Sequence, residues 1–458
     1  MSPEKSLSRI VAEFAVNLKF EDIPPDAVAE AKRFMLDSVG CAFGGYEAED
    51  PQILLELTRE LGGAPQAMIL GSGDRTNVVN ASFLNALMVR ALDYNDIYWE
   101  EDPSHPTDIM PAAWAIADWK GLSGKDVIVG IVLGHEIEIR LCDVGKPGIR
   151  ERGWHHATLT GFAAPVVAAK MLGLDVEQTV NATGISASHT FTLGSVTAGH
   201  LTMMKNTVDP MATRAGVEAA LMAQRGYSGP EPIYEGKEGM THCLGDGWDW
   251  DALTKTLGQK FRITDCGYKL FPTEALTHQP LSAALMIREK NGIKPADIKD
   301  IEIRTTTRGA DILCDKDKYV PQTRETADHS LPYCMARALI DGALTPQSFS
   351  EEAIRDKDVI ALAAKIRGVA DPAIDAAFPA KKTAAVTITT NNGKSFSETV
   401  DFAKGAPQNP ASDAEIRAKF DSLCHMLSAS RRQAIVDAIN GLENAKDFRE
   451  VMKLLAVE

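Results

Sequence analysis

No Cys-X-X-Cys pair occurs in this sequence. Its seven cysteines stand apart at positions 41, 142, 243, 266, 314, 334 and 424. Scattered, odd-numbered cysteines suit free thiols in a reducing cytosol, and no trio has the spacing of an iron–sulfur dehydratase. The metalloprotease helix motif is missing too, since His135-Glu136 has no second histidine at metal spacing. "GSGDRT" (71–76) matches neither a dinucleotide fingerprint nor a P-loop and is expected to be a surface turn, and no Gly-X-Ser-X-Gly elbow occurs. No window of ~18 uncharged apolar residues exists, so no membrane span is expected. The N-terminus "MSPEKSLSRIVAEFAV" carries acid early and lacks a long apolar core. It is expected to open a helix rather than a signal peptide, which places the chain in the cytoplasm. Positive charge is also short. A net charge of −15 argues against nucleic acid and anionic membrane partners. An anionic substrate would need a locally basic pocket, because the field of the whole protein repels it.

What is present is core material. Hydrophobic residues make up 45% of 458, enough for ~2 to 4 domains. Residues 1 to about 265 are expected to be mostly helical. "PPDAVAEAKRFMLDSVGCAFGG" (24–45), "NASFLNALMVRAL" (80–92), "GFAAPVVAAKMLGL" (161–174) and "ATRAGVEAALMAQRG" (212–226) repeat apolar residues at three- and four-residue spacing. Their Ala-dense faces predict a compact bundle with several helices buried all round. The texture changes near 267. "IKDIEIRTTT" (298–307) alternates like a half-buried strand, and "AAVTITTNNGKSFSETVDF" (384–402) predicts two strands joined at Asn392-Gly393 by a type I′ turn. Helical stretches lie between them, giving a small α+β domain. From "ASDAEIRAKFDSLCHML" onward the pattern is helical again, as expected if that domain interrupts a helical one.

Four stretches carry candidate chemistry. "RALDYNDIYWEEDPSHPTDIMPAAWAIADW" (90–119) sets Asp93 and Asp96 on one face if helical, with His105 after a polar loop. Asp108 is more simply a helix cap. Asp93, between Leu92 and Tyr94, would be half-buried and would need a partner. Glu100, Glu101 and Asp102 are expected to form a solvated lip. "RERGWHHATLTG" (150–161) places His155 and His156 before an apolar helix, where at most one is expected to face a given site. A surface or hydrogen-bonded histidine is the commoner case there, and a histidine acid or base the alternative. Lys205 follows Thr-Met-Met, and Lys269 lies between Tyr268 and Leu270 with His278 nine residues on. A lone lysine normally snorkels, but two in apolar settings could bind carboxylates.

Taken in this order, the stretches resemble the MmgE/PrpD superfamily over essentially the whole chain. The family's LDFDDT…HPS signature is similar to "LDYNDIYWEEDPSHPT", which puts its acids on Asp93 and Asp96 and its histidine on His105. GFHPT…GAFGAAAAAAKLLGL resembles "GWHHATLTGFAAPVVAAKMLGL", placing a histidine on His155 with His156 at the Pro position. Lys205, Lys269 and His278 match through "KNTVDPMATRAGVEAALMAQRGYSGP" and "YKLFPTEALTH", and "TRETADHSLPY" (323–333) is similar to the methylcitrate-dehydratase-like branch. The family's KRLHAG is "KNTVDP" here, so Asn206, Val208 and Pro210 depart from it, as does Ile97 from a threonine.

The resemblance implies a large all-helical domain from both chain ends (1–266 and 406–458) with an inserted α+β lid (267–405). It also implies a homodimer and a cofactor-free, metal-free cleft. The catalytic residues would be His105, His155, Lys205, Lys269 and Asp93, with Asp96, His278 and Tyr268 binding substrate. The activities it implies are 2-methylcitrate dehydration, cis-aconitate decarboxylation and epimerisation of an iminodisuccinate, all on polycarboxylates. The first expectation is a hydro-lyase of the 2-methylcitrate dehydratase type. A decarboxylase, an epimerase or isomerase, and a non-catalytic polycarboxylate-binding paralogue are the alternatives.

Overall fold

The computed structural model of the chain describes residues 5–457. Helix accounts for 58% of residues and strand for 10%, so the class is mainly α. The N-terminal part runs through α1 (Leu7–Asn17), α2 (Pro25–Tyr46), α3 (Glu49–Leu61), α4 (Val78–Arg90), α5 (Met110–Lys120), α6 (Gly124–Cys142), α7 (Ala157–Met171), α8 (Val176–Ala187) and α9 (Met204–Gln224). Helices α4, α5 and α7 are buried at nearly every position and carry no polar stripe, as helices deep in a bundle must be.

Small residues set the spacing. A Cβ on Gly45 of α2 would lie 2.0 Å from the Met88 carbonyl oxygen of α4, and one on Gly216 of α9 would lie 2.6 Å from the Pro165 nitrogen of α7. Pro165 interrupts α7 because it has no N–H to give the Gly161 carbonyl. That carbonyl accepts instead from Ser186 Oγ of α8 at 2.7 Å.

Short strands stitch the bundle. β1 (Ala67–Met68) pairs with β2 (Arg75–Thr76), and β3 (Asp96–Trp99) lies between β4 (Pro103–Ser104) and β5 (Gly267–Tyr268). The stretch after α4 is therefore extended, and Asp93 and Asp96 do not share a helix face. The register Asp96↔Tyr268 joins residues far apart in sequence.

A second hydrophobic core gathers residues from 276 to 388 together with Trp99. Its sheet has the order β7-β6-β8-β9, built from β6 (Ile298–Thr305), β7 (Ile366–Ala370), β8 (Ala384–Thr390) and β9 (Ser395–Val400). β6 runs parallel to β7 and antiparallel to β8. The β8–β9 connection differs from the expected type I′ turn. Thr390 N–H bonds the Lys394 carbonyl and only Gly393 has positive φ, so three residues make the loop. The helix Asp413–Leu423 and the residues after it leave this sheet and join the first core, where Phe420 packs on Gly40 of α2.

Gly45→Ala drives a methyl into backbone and is expected to cost about 1–3 kcal/mol, in the range of overpacked cores. A lower urea midpoint at unchanged slope checks it.

Candidate active site

Helix α4 ends at Arg90, and the chain then reverses through Asp93, which holds φ +47. Left-handed backbone is costly for most residues, and Asp tolerates it better than most. The reversal turns the Asp93 carboxylate back onto Arg90, with which it makes a short ion pair. The same oxygen lies 2.8 Å from Lys269 Nζ, at the exit of β5, and 3.3 Å from Lys205 Nζ, in the first turn of α9. All four side chains are buried. Burial acts to raise the Asp93 pKa, but Lys205, Lys269 and Arg90 together hold it well below the usual carboxylate range. Burial lowers the Lys269 pKa, partly offset by Asp93.

These groups border a small cavity between the two cores. His105, His155, His156, Arg150, Glu274 and His329 line it as well. All five residues expected to carry chemistry (Asp93, His105, His155, Lys205, Lys269) thus meet in one place.

The backbone gives the two leading histidines opposite proton arrangements. His105 Nδ1 is 2.5 Å from the Asp96 carbonyl oxygen, which only accepts, so Nδ1 carries the ring proton and Nε2 the lone pair. His155 Nδ1 accepts the Ala157 N–H at 3.2 Å, so the neutral ring carries its proton on Nε2. Burial depresses the pKa of both well below the ordinary histidine value.

Residues that were not nominated also arrive here. Both His155 and His156 face the cavity, with their rings 3.9 Å apart. His156 Nε2 lies 3.3 Å from Asp209, three residues after Asn206 on α9. Arg90 reaches Asp108 at 3.4 Å and Asp209 at 3.8 Å as well as Asp93. Arg90 was legible as a charge closing an apolar helix three residues before Asp93, and His329 lies inside the quoted "TRETADHSLPY". Arg150 and Glu274 carried no such signal.

Asp96, Tyr268 and His278 lie off this cavity. Strand β3 points Asp96 inward toward α6. Tyr268 donates to Glu30 at 2.7 Å, and with His278 it lines a neighbouring pocket. Ile97, Trp99 and Ala275 border both spaces. Asp102 is not on a solvated lip: it is buried and accepts the Ile149 and Arg150 N–H groups at 2.7 and 3.0 Å. Asp108 caps no helix; it accepts from Asn95 at 2.9 Å.

Family comparison settles the lineage. The model of the MmgE/PrpD N-terminal domain matches residues 9–253, and that of the C-terminal domain matches 271–444. The chain belongs to the MmgE/PrpD family. It is 25% identical to a cis-aconitate decarboxylase of Aspergillus terreus, over 97% of this chain and 95% of that one. It is 24% identical to the human cis-aconitate decarboxylase, over 98% and 95%. To a 2-methylcitrate dehydratase of Salmonella typhimurium it is 27% identical, over 80% and 79%. These relatives are lyases. No helix among the described residues is long and apolar enough to cross a membrane.

Removing one member of a buried charge cluster strands the others, so Asp93→Ala is expected to cost about 3–5 kcal/mol near pH 7. A folded-state pKa held below the unfolded value stabilises above the unfolded pKa and is lost as pH falls through the folded one. The deficit relative to the unaltered protein should therefore stay constant from pH 8 to 5 and shrink only below ~4, as urea titrations across pH would show.

Proposed function

We propose that this MmgE/PrpD protein is a hydro-lyase acting on a citrate-like polycarboxylate, of the 2-methylcitrate dehydratase type. The observation that carries the reading is the pairing of a lone pair on His105 Nε2 with an N–H on His155 Nε2 in a cavity lined by Arg90, Arg150, Lys205 and Lys269. Dehydration beside a carboxylate needs a base for the carbon-bound proton and cations for the enolate that develops. It also needs an acid for the departing hydroxyl. In this reading His105 Nε2 takes the carbon-bound proton and becomes imidazolium. His155 gives its Nε2 proton to the departing hydroxyl, which leaves as water, and the proton on His105 then returns to the His155 imidazolate to restore both neutral rings. Lys205 and Lys269 hold substrate carboxylates, and Asp93 fixes both lysines in place.

The second reading is decarboxylation of a cis-aconitate-like acid. Its support is the near-complete coverage shared with the cis-aconitate decarboxylases, against 80% for the dehydratase. Loss of carbon dioxide calls for a proton donor where it leaves and leaves the His105 lone pair without a task. That is why dehydration ranks first.

Proton NMR in heavy water with citrate, 2-methylcitrate and cis-aconitate separates the two. The alkene signal of a dehydrated product is expected; vinyl signals of an itaconate-like product would replace this reading with the second. His105→Ala and Lys205→Ala should each lose on the order of a hundredfold or more in kcat/KM. Near-normal turnover in both, in folded protein, would remove them from the site.

Because burial keeps His105 neutral, kcat/KM should hold steady as pH falls to 6.5 and decline only below it, as the ring protonates. An acid limb centred above 6.5 would assign the base elsewhere.

A further inference from the structure

Beneath the cavity, and separate from it, lies a second cluster that the reaction does not use. Asp96 at the start of β3, His135 in the middle of α6 and Cys266 just before β5 bring their side-chain tips together, with ligand atoms all within 4.8 Å of one another. Each is at most 5% exposed. Asp96 Oδ2 lies 3.3 Å from Cys266 Sγ and 3.7 Å from His135 Nε2. No lysine or arginine among the described residues pairs with Asp96.

The cluster leaves one buried acceptor that needs either a proton or a cation. His135 Nδ1 lies 2.9 Å from the Ile131 carbonyl, an obligate acceptor, so Nδ1 carries the ring proton. The lone pair on Nε2 then points at the Asp96 carboxyl, a contact that takes either a proton on that carboxyl or a cation between the two, and Nε2 has no hydrogen-bond partner. The outer contacts are those that hold metal ligands in place. A backbone carbonyl fixes the imidazole tautomer, while Thr107 N–H, at 3.2 Å, and Thr107 Oγ orient the carboxylate.

We propose that Asp96, His135 and Cys266 bind a divalent, borderline-soft cation of the zinc class. Thiolate, imidazole and carboxylate together select such an ion over magnesium or calcium. Bond lengths of ~2.0–2.3 Å at a tetrahedral centre require ligand separations of roughly 3.3–3.6 Å, and the two separations from Asp96, 3.3 and 3.7 Å, are close to them. Two anionic ligands and a dication make a neutral unit, which suits a fully buried position. Binding releases the Cys266 thiol proton, and any proton on Asp96, to solvent; no electron moves.

The ion would be structural and would act on the cavity at one remove. It would tie α6 to the β3–β5 pair. Asp93 lies three residues before Asp96, His105 bonds the Asp96 carbonyl, and Lys269 lies three residues after Cys266. A buried cation here would fix the mounting of all three.

The test needs no substrate, so it stands apart from the proposed reaction. The full-length protein is produced in cells grown on cobalt in place of zinc, so that metal enters during folding, and bound cobalt is measured with the absorption spectrum. The expected result is close to one equivalent of cobalt with a thiolate-to-cobalt charge-transfer band in the near ultraviolet. The band should vanish, and cobalt content drop at least tenfold, in both Cys266→Ser and His135→Gln. Asp209→Asn should keep it, since the other His/Asp grouping, His155–His156–Asp209, offers no sulfur. Less than a tenth of an equivalent in folded protein, or a band that survives Cys266→Ser, would overturn the site and leave a shared proton between Asp96 and His135.

Discussion

Everything in the cavity is arranged around one buried carboxylate. Asp93 has three cations within ion-pair reach, each from a different part of the chain: the end of α4, the start of α9 and the exit of β5. None of these charges is tolerable alone at such depth, because desolvation costs several kcal/mol per ion. Together they hold three segments in register. Arg90, Arg150, Lys205 and Lys269 still outnumber the two carboxylates held firmly low, Asp93 and Asp209, so the pocket keeps positive character inside a chain of net charge −15. An incoming anion meets a repelling surface and a receptive interior.

Such a cluster demands a rigid mounting, and small side chains in the bundle supply it. Close backbone approach at Gly45 and Gly216 sets where α4 and α9 lie, and these helices deliver Arg90 and Lys205. The buried polar contacts of α6 extend the frame. Glu138, pushed up to about 8 by burial, accepts from Ser104 and Thr160, each at 2.6 Å, and so ties the His105 loop to α7.

The helical frame was legible because its signal is local: Ala-rich apolar residues recur at three- and four-residue spacing within a dozen residues. β3, β5 and β7 were not. They are two to five residues long and exist only through partners far away, as in the Asp96↔Tyr268 pairing. That failure spread to the side chains. Once a turn through Asp93 and the strand Asp96–Trp99 replace a helix there, Asp96 turns to α6 and Asp102 is buried. The cavity residues legible in sequence were charges or imidazoles inside apolar stretches, such as Asp93, Lys205 and Lys269. Arg150 and Glu274 sit in polar stretches where such residues are usually solvated, and only tertiary burial distinguishes them.

The hardest distinction to extract from sequence is between His105 and His155, since residue type and burial are the same for both. What separates them is main chain. A carbonyl oxygen faces Nδ1 of one, and an amide N–H faces Nδ1 of the other. Those contacts arise because His105 returns alongside β3, where the Asp96 carbonyl is free to accept, whereas His155 precedes α7, whose first amide groups lack helical partners. Two imidazoles are thereby set in opposite tautomers without any change in side-chain chemistry. A dehydration needs that asymmetry, one ring ready to accept a proton and one ready to give it, and a decarboxylation needs only the second. A change of reaction within such a site could therefore begin in the loops that present these backbone groups, with both histidines retained.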